Sequence, residues 1–204
     1  LVDRADIFVQ AFRTGVIDEL GFGYEEIHQR HPGMVYASVT GYGSRGPLRE
    51  RPGYDPLMQA YTGIMSLTGY PEGDPARIGG SVVDVGTGIV TALGILAALR
   101  EKERTGEGTH VESSLLATSL GWVSYHIQGY LASGVIPGRM GTGISMIAPY
   151  EAFHTSDGEL MISAGHDGIF ERLCEALKLE EIQGDERFTT NPLRVANRTE
   201  LHGL

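Results

Sequence analysis

The sequence predicts an α/β protein built around a parallel sheet. Two observations carry that reading. The first forty residues alternate strand, helix, strand: a short buried strand at 5–10, helical stretches at 16–20 and 24–30 parted by Gly21-Phe22-Gly23, and a strand at 34–39. The strongest helix, over 86–104, then leads into an alternating strand at 109–113. Strands joined through helices are the connection that parallel pairing requires.

Each element has its own signal. The helix over 86–104 sets Ile89, Val90, Leu93, Leu96, Ala97 and Leu99 on one broad face. Its charges gather over 100–104, and Gly106 stands where a helix C-cap glycine belongs. Stretches 41–54 and 69–80 are rich in Gly and Pro and read as loops around a helix over 56–67. Downstream, 115–131 reads as one helix and 133–147 as a glycine-rich loop. Runs at 152–154 and 160–163 flank Ser156-Asp157-Gly158 as a hairpin, and 169–177 reads as a closing helix.

Composition narrows the function classes. A chain of 204 residues suits one domain and a fraction. A net charge of −10 argues against nucleic acid or an anionic membrane as the main partner. The longest apolar run, near 89–99, is interrupted by Thr91 and Gly94 and is too short to span a bilayer. No signal peptide is visible, so a cytoplasmic protein is expected. The single cysteine, Cys174, excludes an internal disulfide and sits at helical spacing among apolar residues, as a buried thiol does. The chain starts without an initiator Met and stops in a helix-like segment, which suggests a fragment of a longer protein.

Three groups of residues are candidates for chemistry. Gly41-Tyr42-Gly43-Ser44-Arg45-Gly46 fits G-x-G-x-x-G after a strand. The dinucleotide use of that pattern needs a helix opening directly behind it. Here Pro47 to Gly53 is too short and too proline-bounded, so NAD is not expected. The loop still offers amides and arginines to a phosphorylated ligand. Asp84 lies between Val82-Val83 and the long helix, where helix-end amides favour an ionised carboxylate and Gly86 and Gly88 leave room for a ligand. A plain helix N-cap is the other use of such an Asp. Tyr54-Asp55 precedes Pro56, where the Asp could cap the helix that starts there. His110, His126, His154 and His166 show no ligand spacing, so no metal site is expected. Trp122 and Tyr125 fall at helical spacing and read as core or dimer contacts.

A series of short motifs runs nearly end to end: F-R-x-G at 12–15, S-x-x-G-Y-G at 38–43, R-P-G-Y-D at 51–55 and D-x-x-x-G at 84–88. T-G-x-G follows at 105–108, A-P-Y at 148–150 and R-x-x-N-R at 194–198. In order and spacing the chain resembles the family III coenzyme A transferases, which include formyl-CoA transferase and carnitine–CoA transferase. The resemblance implies a Rossmann-like parallel sheet with part of a second, smaller α+β domain. It places a CoA-binding large domain over 1–133 and a linker with a partial small domain over 134–204. The chain would then be the central part of its protein.

The resemblance also implies chemistry. CoA passes from an acyl-CoA donor to a small carboxylic acid through an anhydride and a thioester on one carboxylate, Asp84. Tyr54, Asp55, Gly141 and Gly143 would line the substrate pocket, the two glycines within a flexible loop over the reacting carboxylate. Phe12, Arg13, Gly15, Thr40, Gly41 and Tyr42 would hold CoA, although for Arg13 a solvated surface position is an equal alternative. Ala11 and Thr14 depart from the family's usual Asn and Pro, and 139–145 lacks its common G-N-x-H-P pattern. An interlocked homodimer is implied. Related α-methylacyl-CoA racemases carry a His at the position of Tyr54; a tyrosine titrates too high for two-base exchange, which favours the transferase. A CoA-binding protein without activity is the third reading.

Overall fold

The computed structural model describes residues 1–204 apart from the side chain of Asp3. The chain forms two compact units, Leu1–Ser66 with Ala76–Pro137, and Leu67–Pro75 with Gly138–Leu204.

In the first unit β1 (Ile7–Gln10) leads through α1 (Val16–Glu19) and α2 (Tyr24–Arg30) to β2 (Val35–Thr40). Then come α3 (Asp55–Tyr61), α4 (Ile64–Leu67), the long α5 (Val82–Thr105) and β3 (His110–Ser114). The three strands are parallel in the order β1-β2-β3. Register puts Tyr36 beside His110 and Ala37 beside Val111, so these pairs lie on opposite faces. The Tyr36 face is covered by α2: Tyr24 stacks on His110 at 4.5 Å, and Ile27, Met34 and Tyr36 form a buried cluster. The Ala37 face is covered by α5, where a Cβ added to Gly94 would meet Val111 Cγ1 at 2.7 Å. Helices on both faces are what a parallel sheet requires.

Three helices differ from their sequence-based outlines. The helix expected over 56–67 is broken at Gly63, which takes φ 85°. The one expected over 115–131 divides at Val123 into α6 (Leu115–Trp122) and α7 (Ser124–Ser133). Helix α5 begins at Val82 rather than 86, because a carboxylate from elsewhere in the chain takes its first amides.

The long helix also buries a different face from the one its large side chains suggest. Its buried residues are Val83, Gly86, Thr87, Thr91 and Ala98. Gly86 lies under the Trp122 indole, and Thr87 and Thr91 donate their hydroxyls to the carbonyls of Val83 and Thr87 at 2.7 and 2.6 Å. Small residues let the helix lie close to its neighbours. Ile89, Leu93 and Leu96, which periodicity sets on one face, point outward, with Leu93 61% exposed. Trp122 and Tyr125 are likewise exposed rather than core. By length and composition alone α5 could cross a membrane, contrary to the reading of 89–99; here it packs along β2, β3, α3 and α6.

The second unit carries a hairpin, β4 (Tyr150–His154) with β5 (Glu159–Ser163), and α8 (Asp167–Leu177), α9 (Glu180–Gln183), α10 (Asn191–Ala196) and α11 (Arg198–Gly203). Its core holds Ala164, Phe170, Cys174 and Phe188. Cys174 is buried, as its spacing suggests, and burial pushes the thiol up. Arg194 is fully buried over the Phe170 ring. It donates to the Ala148 and Phe188 carbonyls at 2.8 and 2.9 Å and to Asp167 Oδ1 at 2.7 Å.

Two stability outcomes follow. Arg194→Met takes the donor from the Ala148 and Phe188 carbonyls and the ion pair from Asp167, and is expected to cost at least about 2 kcal/mol in urea unfolding. Arg194→Lys recovers little, since one ammonium cannot match the planar fork. In the first unit, a Cβ on Gly53 would lie 2.5 Å from Gly41 Cα and 3.0 Å from Met58 Cε. Gly53→Ala is expected to lower stability by about 1–3 kcal/mol, because one obstacle is backbone; an unchanged midpoint would show that the two loops part freely.

Candidate active site

A cleft of about 580 Å³ opens beyond the carboxyl ends of β1 and β2. Open parallel sheets take their ligands at that end. Five pieces of backbone build it: the stretch after β1, the end of β2, the loop that carries Arg51, Pro52 and Gly53, the first turn of α5, and Leu115 at the start of α6. The Gly41–Gly53 contact pins that loop against the end of β2. The chain after Gly46 makes only short turns, so no phosphate-binding helix follows the G-x-G-x-x-G stretch.

Of the residues singled out from sequence, Phe12, Arg13, Thr40, Gly41, Tyr54 and Asp84 line this cleft. Phe12 is half exposed and its amide donates to Gln10 Oε1 at 2.8 Å. Thr40 Oγ1 accepts from the Gly43 amide at 3.0 Å, which shapes the turn after β2. Tyr54 is 65% exposed. Arg13 and Arg51 have no side-chain hydrogen bond or ion pair among the described residues, while Arg49 pairs with Glu50 at 3.0 Å. Two unpaired guanidiniums suit an anionic ligand.

Three of the singled-out residues in the first unit are not brought into the cleft wall. Gly15, at φ 90°, is the N-cap of α1 and borders a smaller adjoining cavity of about 100 Å³. Tyr42 packs edge-on against Tyr61 at 5.8 Å. Asp55 is 2% exposed and lies beneath the cleft. It does not cap α3, whose N-cap is Tyr54. Its Oδ2 instead accepts from the amides of Val83 and Asp84 at 2.8 and 3.3 Å, and its Oδ1 accepts from Gln59 Nε2 at 2.6 Å. Gln59 Oε1 in turn accepts from the Ile78 amide at 2.9 Å.

Asp84 does not cap α5. The N-cap of α5 is Ser81, and the Asp84 carboxylate makes no hydrogen bond among the described residues. It is exposed at the cleft wall and free to meet a ligand. Enclosure by the cleft wall first, and the Asp55 carboxylate second, push the Asp84 carboxyl above its ordinary value. The expectation that helix-end amides favour its ionised form is therefore corrected: those amides are occupied by Asp55.

Gly141 and Gly143 belong to the second unit. Gly141 takes φ 61°, its amide donates to Gly69 O at 2.9 Å, and an added Cβ would strike the Tyr70 ring at 2.7 Å. Arg139 donates to the carbonyls of Tyr70, Pro71 and Gly73, the shortest at 2.7 Å. Arg198 donates to those of Ile144 and Ile147 at 2.7 and 2.8 Å. The glycine loop is thus fastened at both ends, where the sequence suggests a free lid. Among the described residues no group of His, Cys, Asp and Glu is placed to hold a metal.

Sequence reasoning missed Arg51 and Gly53 as cleft residues, although both stand in the R-P-G-Y-D string. It also missed Gln59, whose only signal is a polar residue four positions after Asp55 on a helix.

Comparison with known proteins agrees with this architecture. The chain matches CoA-transferase family III over residues 1–204. It is 39% identical over 202 residues to the acetyl-CoA:oxalate CoA-transferase of Acetobacter aceti, covering 98% of this chain and 52% of that protein. It is 38% identical over 196 residues to the succinyl-CoA:glutarate CoA-transferase of Homo sapiens, covering 96% and 45%. A crystal structure of a CAIB/BAIF family protein from Brucella suis superposes with a TM-score of 0.79 at 40% identity, covering 99% of this chain and 53% of that one. The chain spans about half the length of the curated relatives it matches. With its parallel sheet, doubly covered, and its motifs in order from end to end, the chain belongs to CoA-transferase family III.

Proposed function

We propose that the protein of this chain is an acyl-CoA:carboxylate CoA-transferase with Asp84 as its nucleophile. The observation that carries the reading is the Asp84 carboxylate: exposed in the cleft, free of protein hydrogen bonds among the described residues, and raised above its ordinary value. A more basic carboxylate is a better nucleophile.

In this reading an Asp84 oxygen attacks the donor thioester carbonyl, forming a mixed anhydride and releasing CoA thiolate. The thiolate attacks the aspartyl carbonyl, the donor acid leaves, and an aspartyl-CoA thioester remains. The acceptor carboxylate attacks that thioester, giving a second anhydride and CoA thiolate again. The thiolate attacks the acceptor carbonyl, which frees acyl-CoA product and restores the Asp84 carboxylate. Arg13 and Arg51 are suited to the phosphates of CoA. The relatives' names pair acetyl-CoA or succinyl-CoA with oxalate, glutarate or mesaconate, so small acids of this kind are the acceptors to try first.

We also propose a homodimer. The outward row of Ile89, Leu93 and Leu96 on α5, with Trp122 exposed on α6, supplies apolar surface of the kind that a second copy covers.

Full-length protein incubated with acetyl-CoA or succinyl-CoA is expected to gain mass at the peptide holding Asp84, labile to hydroxylamine. Asp84→Ala is expected to abolish both the adduct and CoA transfer to the acid panel. No adduct, with solvent deuterium entering the α-carbon of a branched acyl-CoA, would replace the transferase reading with a racemase one. In sedimentation, Leu93→Lys is expected to shift dimer to monomer; a wild-type monomer would refute the dimer.

A further inference from the structure

The Asp55 network is more than a helix cap, and its place next to Asp84 gives it a role in the reaction. Asp55 sits on α3, 2% exposed, with both carboxylate oxygens engaged by N–H donors. One of those donors is the backbone amide of Asp84 itself. Resting on the reading of Asp84 as nucleophile, we propose that Asp55 is its positioning residue: by taking the first amides of α5 it leaves the Asp84 carboxylate uncommitted at the cleft wall.

The physical case has two parts. An Asp in the first turn of a helix is drawn to the unpaired amides there, by hydrogen bonding and by the helix dipole. A side chain so engaged is a cap, and its lone pairs point along the helix. Here the amides of residues 83 and 84 already have a carboxylate partner, so Asp84 gains little by folding back. Gln59 locks that partner from the other side and, through Ile78, holds the segment that leads into α5.

The second part is charge. Asp55 places a buried negative group against the base of Asp84 and contributes to holding its carboxyl above its ordinary value. The other titratable side chains along the cleft are Arg13, Arg49, Arg51 and Tyr54. The arginines act in the opposite sense, and a bound anion would neutralise them. Asp55 is the anion that stays.

The sign follows. Asp55 raises the pH at which Asp84 becomes a nucleophile, so its neutral replacement lowers that pH. In the full-length protein, with succinyl-CoA as the probe, the rate of Asp84 adduct formation is read by intact mass against pH. Asp55→Asn keeps one oxygen acceptor and loses the charge. It is expected to move the acid limb down by about half to one pH unit and to lower the plateau rate about three- to tenfold. Asp55→Glu keeps the charge but shifts the oxygens off the amides; its limb is expected near wild type, with a lower plateau. Should Asp55→Asn fail to fold, Asp55→Ser, neutral and a good cap by type, gives the same readout. Unmoved limbs in the neutral variants, with plateau losses that merely track a lower Tm, would overturn the proposal and leave Asp55 a structural cap. Absence of any adduct in wild type would instead refute the nucleophile itself.

Discussion

A buried carboxylate seated on the first amides of the long helix is the constraint on which the cleft depends. Helix α5 opens with Ser81, whose side chain makes no capping bond, and with a run of Val, Gly and Thr that has modest helix propensity. The missing partner comes from Asp55, 28 residues before the nearer of its two amides. Burying that carboxylate carries a desolvation cost, offset by three N–H donors aimed at its two oxygens. The bond fixes α3 to α5, and so sets where Tyr54 and Asp84 stand relative to each other at the cleft. Gln59 extends the hold to Ile78 on the approach to α5.

Close backbone approach does the remaining work of shaping the first unit. Gly41 and Gly53 touch through their Cα atoms, which brings the R-P-G-Y-D loop onto the end of β2 and its arginines to the cleft. Gly86 and Gly94 do the same for α5, one against Trp122 and the other against Val111. Short residues on the inner face of α5 draw the helix down onto the sheet and leave its large apolar side chains outside. In the second unit the corresponding device is arginine: Arg139, Arg194 and Arg198 each gather carbonyls from loops that have no regular partner. A guanidinium has enough donors in one plane to serve several acceptors at once, which a lysine has not.

Much of this was legible before the fold was known, and the gaps have physical causes. Strands 7–10 and 35–40 announce themselves by β-branched and aromatic runs and 110–114 by alternation, and their parallel order follows from the helices between them. The cleft-lining role of Phe12, Arg13, Thr40 and Gly41 was reachable only through the motif order, since no local signal separates them from ordinary loop residues. Periodicity located the apolar stripe of α5 and carried no information on its destination. It reports that Ile89, Leu93 and Leu96 share a face, not what covers that face. The resemblance puts Asp55 in the pocket with Asp84, but its bonds to the amides of Val83 and Asp84 were invisible, because hydrogen bonds between side chain and distant backbone leave no periodic trace. A local reading assigns Asp55 to the nearest helix start, at Pro56, and the fold assigns it to another.

That reassignment also resolves a conflict built into the position of Asp84. A reacting carboxylate at a helix N-terminus benefits from the positive end of the dipole when it leaves as an anion, but the same field makes it a weaker attacking group and invites it to cap. A second carboxylate on the same amides divides the two effects. It accepts the hydrogen bonds that would immobilise Asp84, and its charge opposes the part of the field that would lower nucleophilicity. In the proposed reaction, the approach to the thioester and the departure from the anhydride would fall to cleft groups such as Arg13 and Arg51, which a ligand can engage and release, rather than to backbone amides, which it cannot. On this view the buried member of the pair is the fixed setting and the exposed member the moving part. The helix start is the one place in the fold where both can be held by the same two residues of backbone.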